Sequence, residues 1–476
     1  MTGTDTWLLV LARQTLLTAY LLRCAWARRR GRMLVSGERR TFQWGHTVAT
    51  KPMEFKRASW LVDARAIAKF RLPLMPGPRR VLITGGSPDG SSSRMLKNAD
   101  LYDPLTNRFE PTQDMIAARQ SHIAIPVSMR GAGVAGSVRL EQTLVAGGLG
   151  VVNSSGDTSY LGTAEIFSEG RFHAIADMGA ARAGAAAAMT SSGRILVTGG
   201  RGYDPAVMHL TSAEYLRATN AAGFEFVFTR TVGDMVYERV LHTATPVRVL
   251  ARRFPAILIT GGGDDTANWT AEVYVARDDD FGVSAPIQMR YSRVQHAAAL
   301  LNDGRVLVCG GTRRSSGTDV EWDQAELFDP MTLTFSEFVA TGSLPSDYRR
   351  VGPMKEPRQG HSATTLPDGR VLIAGGSMTT GSRAGQRVST LLDKAEIFDP
   401  ATLQFTLSAS LGTPRQQHTA TALGDGRVLV AGGYGAGVAG SGTLDSGEIY
   451  DPGNDTFTPV GNTMSSRRVY HAAAPI

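Results

Sequence analysis

The sequence predicts an all-β fold of seven repeated four-strand units, closed into a ring by pairing of the C-terminal strand with the N-terminal unit. Three observations predict it. Short apolar runs ending in Gly-Gly recur seven times. An Ala-Glu element with a following aromatic recurs in the same rhythm. An Arg-x-x-His element does so too, with Ala replacing His in one copy.

Composition fits this class. The 476 residues include 53 Gly and are 20% charged, the balance of a turn-dense β chain rather than a helical one. The two cysteines, Cys24 and Cys309, provide neither a disulfide framework nor metal-ligand spacing. The net charge of +7 is uneven: residues 1–60 hold eleven Lys/Arg and three Asp/Glu, leaving 39 basic and 40 acidic residues for the rest. The basic character therefore belongs to the tail, and the body is not expected to bind nucleic acid.

Each element has a physical reason. Strand a opens with Arg-x-x-His, at Arg119, Arg239, Arg293, Arg358, Arg415 and Arg468, and at Arg182 where Ala185 replaces the His. Strand b is the apolar run, as in "VLIAGG" at 371–376. It is apolar on both faces, Val371 and Ile373 on one, Leu372 and Ala374 on the other, as suits a sheet packed between two others. The glycine pair ends it where positive φ and close backbone approach are needed. Strand c carries an acid (Asp100, Glu165, Glu214, Glu272, Glu326, Glu396, Glu448), seven acids for seven arginines, which points to ion pairing. In "FDPATLQF" (398–405) Asp and Pro make the turn into strand d, so that the flanking aromatics pack on adjacent strands.

Six units are complete from Arg119 onward. The remainder is a b-c-d set at 81–111 and one strand a at 468–476, which together make the seventh. Closing that seam costs only about 5 kcal/mol of loop entropy and removes two exposed sheet edges. Residues 60–73 lack Arg and His at the expected offset, so the seam is the preferred pairing. The division expected is a basic tail at 1–60, a linker at 61–80 and the ring at 81–476.

These motifs, with "DGRVLVAGG" (425–433) and "AEIFDP" (395–400), resemble the bacterial kelch repeat over about 81–476. The resemblance implies a seven-bladed kelch-type β-propeller, one blade per repeat. It also implies two roles for the arginines. Repetition in every blade favours a structural role. Arginines at the matching place in kelch adaptors contact acidic peptides, which makes Arg119, Arg182, Arg239, Arg293, Arg358, Arg415 and Arg468 candidate ligand contacts. Insertions on one rim of a repeat ring mark a binding side, and Tyr348, Arg349 and Arg350 in the longest d–a connection are further candidates. "VYH" (469–471) resembles a copper-ligating segment of galactose oxidase, but the crosslinked Cys and the further His of that family are missing, so no metal or other cofactor is expected. Asp264, Asp265 and the acids at 278–280 lack EF-hand spacing and read as loop acids. No phosphate loop, nucleophile elbow or HExxH motif is present.

The expected function is a non-catalytic scaffold, monomeric, presenting loops to a protein or glycan, an acidic one included. The alternative is a sugar oxidase or isomerase working in the funnel. The tail "WLLVLARQTLLTAYLL" (7–22) is followed, not preceded, by basic residues, so it does not read as a secretory signal. A short anchor and a misassigned start both remain open, and membrane contact is expected only through residues 1–32. The compartment is likewise open: the resemblance implies cell envelope or secretion.

Overall fold

The computed structural model describes residues 79–476, except 128–141, 152–156, 192, 203–208, 219–224, 250–253, 264–266, 282–284, 314–319, 337–350, 384–385 and 438–439. The tail at 1–60 and all but the end of the linker lie outside the described residues.

Seven four-stranded antiparallel sheets are present among the described residues. Counted in chain order from the sheet that holds Val81, the sixth repeat shows the pattern: strand a is Ser362–Thr365, b is Val371–Ala374, c is Ala395–Asp399 and d is Gln404–Leu407, hydrogen-bonded in that order. The two faces of its strand b enter different cores. Val371 and Ile373 pack with Leu307 and Leu327 of the fifth repeat, and Leu372 and Ala374 pack with Val428 and Val430 of the seventh. A strand sandwiched in this way must be apolar on both faces, which explains the unbroken Val-Leu-Ile-Ala run.

Its glycine pair adopts φ of 62° at Gly375 and 100° at Gly376. A Cβ on Gly376 would lie 2.8 Å from the Gln359 carbonyl oxygen and 3.0 Å from the His361 Cβ, so strand a of the same repeat passes through the space a side chain would need. Strands c and d are joined by aromatic pairs with tilted rings, such as Phe398–Phe405 at 4.9 Å and Tyr450–Phe457 at 4.9 Å between centroids. The residue closing the c–d turn is left-handed, and its type follows the aromatic. Tyr102, Tyr274 and Tyr450 donate to Asn107, Asp279 and Asp455. Phe328 and Phe398 stand with Leu333 and Leu403 instead.

The first sheet is assembled from both ends of the described chain. Its strand a is Ala472–Pro475, paired antiparallel with Val81–Thr84 in the register Val81↔Pro475 to Thr84↔Ala472. Ile476 N–H donates to the Arg80 carbonyl at 2.8 Å. The strands a of successive sheets touch in chain order, and Ala472–Pro475 touches both Thr419–Ala422 and Ile123–Val127. No helix among the described residues is long and apolar enough to cross a membrane.

Candidate functional site

The seven arginines are the largest of the fully buried side chains among the described residues, none more than 1% exposed. Arg358 shows why. Its guanidinium donates to the Gly375 carbonyl (2.8 Å), to the Lys394 carbonyl (2.9 Å) and to Glu396 (2.6 Å), linking strands a, b and c of one sheet. Glu396 in turn accepts the backbone N–H groups of Lys355 and Glu356, from the connection that enters strand a. The same pattern joins Arg119 to Glu165, Arg182 to Glu214, Arg239 to Glu272, Arg293 to Glu326 and Arg415 to Glu448. It also joins Arg468 to Asp100 across the seam, with the Gly85 carbonyl as a further acceptor. Each charge is thereby paired and hydrogen-bonded in its low-dielectric site.

Arg119, Arg182, Arg239, Arg293, Arg358, Arg415 and Arg468, named from the sequence as candidate ligand contacts, are all placed in this way. They do stand where the chain enters strand a. Their guanidiniums turn inward, away from solvent, onto internal acceptors.

The histidines join neighbouring sheets. His122 Nε2 shares a 2.8 Å hydrogen bond with Thr84 Oγ1 of the preceding sheet, and His242 one with Thr198. His296 meets both Thr260 and Thr243. Where strand b ends in Ala, the residue after the preceding His supplies the hydroxyl: Ser362 for His418 and Thr419 for His471. At His361 the partner is the Cys309 sulfur at 3.7 Å. Ala185, the one missing His, faces a repeat whose strand b ends in Ala146 and whose strand a begins with Ile123, so histidine and hydroxyl are lost together. Burial, reinforced by the adjacent arginines, holds His242, His296, His418 and His471 neutral, with pKa values pushed down to about 3. His122 and His361 are lowered in the same direction. The Cys309 thiol is pushed up to about 12 by burial, so it is an unreactive packing group.

The surface of this region is set by the third position of each Arg-x-x-His element. Ser121, Gly184, Leu241, Gln295, Gly360, Gln417 and Tyr470 all have left-handed φ, between 52° and 64°. Their peptides bond from sheet to sheet: Ser121 N–H to Tyr470 C=O at 2.8 Å, Gly184 to Ser121 at 2.9 Å, Leu241 to Gly184 at 3.3 Å, and on through Gln295 and Gly360 to Gln417. Among the described residues no such bond joins Tyr470 N–H to Gln417 C=O. A cleft of about 290 Å³ lies at this junction, lined by Asp89, Gly90, Gln416, Gln417, Tyr434, Val469 and Tyr470. Several b–c connections form hairpins at this end of the sheets. Leu149–Val151 with Thr158–Tyr160 pairs onto Arg119–Gln120, and Tyr434–Gly437 with Gly440–Thr443 onto Arg415–Gln416.

Sequence reasoning missed this surface series, because its residue types differ in every copy. The only signal was glycine at two of the seven third positions, Gly184 and Gly360.

Tyr348, Arg349 and Arg350 lie outside the described residues, as do Asp264 and Asp265. Asp279 accepts the Tyr274 hydroxyl at 2.6 Å and pairs with Arg194. In the Val-Tyr-His segment Tyr470 is exposed while His471 is buried against Thr419, so the two side chains diverge. Among the described residues no group of three or more His, Cys, Asp or Glu side chains converges as metal ligands would.

Residues 415–464 match the family model described as Kelch motif. They span the seventh repeat from its arginine through its strand d. Among curated proteins none matches the sequence. Among solved structures, one described as the structure of YjhT is similar over 72% of this chain and 97% of that one, at 13% identity and a TM-score of 0.47.

Proposed function

We propose that this chain, a kelch-repeat β-propeller protein, is a non-catalytic binding scaffold whose seven sheets are the blades of one ring formed by residues 81–476. Its ligand, a protein or a glycan, sits at the end of the ring that carries the hairpins and the cleft. One observation supports this best. The strongly polar side chains that recur in every repeat are consumed by internal pairing, whereas the cleft keeps a polar, mixed lining of Gln416, Gln417, Tyr434, Tyr470 and Asp89. Amide and phenol groups around one carboxylate suit a ligand rich in hydrogen-bonding groups. The unbridged Gln417 carbonyl and Tyr470 N–H would supply it with a backbone acceptor and donor.

The test is a glycan array and a peptide library screened with wild-type protein and with Tyr434→Ala and Tyr470→Ala. Binding that falls at least tenfold in both variants, with the ligand recovered unchanged, is the expected result. A ligand chemically converted by the protein, or one bound equally by both variants, overturns it.

A further inference from the structure

The cleft at the junction of Gln417 and Tyr470 is asymmetric in charge. Among the described residues its lining holds one carboxylate, Asp89, and no basic side chain. Ser87 Oγ and Ser91 N–H both donate to Asp89 Oδ1, at 3.1 Å and 2.9 Å. Hydrogen bonds from Ser91 and Ser87 lower the Asp89 pKa to about 2, so the acid is ionised and held by its own loop. Arg94 lies 3.3 Å from its Oδ2, but both side chains are exposed and solvent screens the pair.

The rest of the lining adds acceptors. Among the described residues, the carbonyls of Tyr470, Ser121, Gly184, Leu241, Gln295 and Gly360 each accept an N–H from the next sheet, and that of Gln417 does not. The Gln417 side chain donates to Gln295 Oε1 at 3.3 Å, which leaves its own Oε1 as an acceptor. Against these stands one unbridged backbone donor, Tyr470 N–H. Tyr434 and Tyr470 complete the lining. A carboxylate, amide oxygens and two tyrosines are groups that bind an ammonium or guanidinium, through charge-assisted hydrogen bonds and cation–π contact.

Size and setting select what carries that cation. At about 290 Å³ the cleft falls just short of small-molecule pockets, which run to about 300–1,000 Å³, and it suits one inserted side chain better than a chain of sugars. At the same end of the sheets, Val151, Val320 and Val388 are exposed on hairpins, and Leu241 is exposed in the left-handed series. Apolar side chains at the end that carries a charged cleft suit a protein surface.

We propose that the cleft takes a lysine or arginine side chain of a partner protein, with its charge on Asp89 and the Gln417 carbonyl and its stem against Tyr434 and Tyr470. This rests on the scaffold reading and narrows its ligand from protein or glycan to a protein with an exposed basic residue.

The test pans the full chain against a random peptide library, beside the glycan array, and measures the enriched peptides by calorimetry. They should carry a Lys or Arg whose replacement by norleucine or citrulline weakens binding at least tenfold. Asp89→Asn keeps an Oδ1 acceptor for Ser87 and Ser91, so it is expected to fold with an unchanged Tm and to bind the same peptides at least tenfold more weakly. Arg94→Ala should bind them at least as tightly as wild type, having lost a competing cation. The proposal is overturned if no peptide is enriched, if norleucine or citrulline is tolerated, if Asp89→Asn binds as well as wild type, or if Arg94→Ala weakens binding. A glycan whose binding depends on Tyr434 and Tyr470 would overturn the basic-side-chain reading and leave the scaffold reading standing. Peptides held equally by Tyr434→Ala and Tyr470→Ala would overturn both.

Discussion

Six histidines packed between sheets should make the fold sensitive to mild acid. His122, His242, His296, His361, His418 and His471 all have folded-state pKa values driven far below the ordinary 6.5, by burial first and neighbouring arginines second. In the unfolded chain they titrate near 6.5. Below that pH the unfolded state takes up protons that the folded state refuses, so stability is lost as pH falls through 6.5 and continues to fall toward 3. At pH 5.5 each such histidine costs on the order of 1 kcal/mol, and the six together several kcal/mol. That is comparable with the whole stability of an ordinary domain, about 5–15 kcal/mol. Asp89, a carboxylate lowered to about 2, titrates well below this window and does not blur it. Urea melts followed by far-UV circular dichroism at pH 8.0, 6.5 and 5.5 provide the assay. The midpoint should drop steeply between 6.5 and 5.5, and His296→Ala should lower stability at pH 8 while reducing the proton uptake on unfolding by about one. A midpoint unchanged from pH 8 to 5.5 would refute the assignment of these histidines as buried and neutral.

The Arg–Glu clamps and the glycine pairs make two further predictions. Arg358→Ala leaves Glu396 buried without its charge partner and should cost about 3–5 kcal/mol in chemical denaturation; Arg358→Lys, which cannot reach Gly375, Lys394 and Glu396 with one planar group, should rescue little of it. A loss below about 1 kcal/mol for Arg358→Ala would mean the pair is solvent-screened and the arginine is free for a ligand. Gly376→Ala should destabilise by more than the ordinary Gly-to-Ala difference of about 1 kcal/mol, since its Cβ would press on Gln359 and His361 at a φ of 100°; a neutral or stabilising effect in thermal melts would contradict the close approach of strand a.

Much of this architecture could be read from residues alone. The Val-Leu-Ile-Ala run announced a strand buried on both faces, and its two faces do enter two different cores. Equal numbers of arginines and acids announced the pairing, though not its consequence. Sequence spacing places Arg358 at the entry to strand a but does not say whether its side chain turns outward to a ligand or inward to Glu396, and only the inward geometry satisfies both charges. The hydroxyl partners of the histidines were harder to see. Thr84 and His122 are 38 residues apart and belong to different repeats, so no within-repeat comparison relates them.

The claim beneath all of this is that strand a of the first sheet comes from the far end of the chain. Hydrogen exchange of the C-terminal peptide measures it most directly. Amides in 472–476 should exchange as slowly as those of the buried strand Val428–Ala431, because they pair with Val81–Thr84 and Arg80. Exchange of that peptide within seconds, as for a frayed terminus, would contradict the closure and with it the seven-sheet assembly.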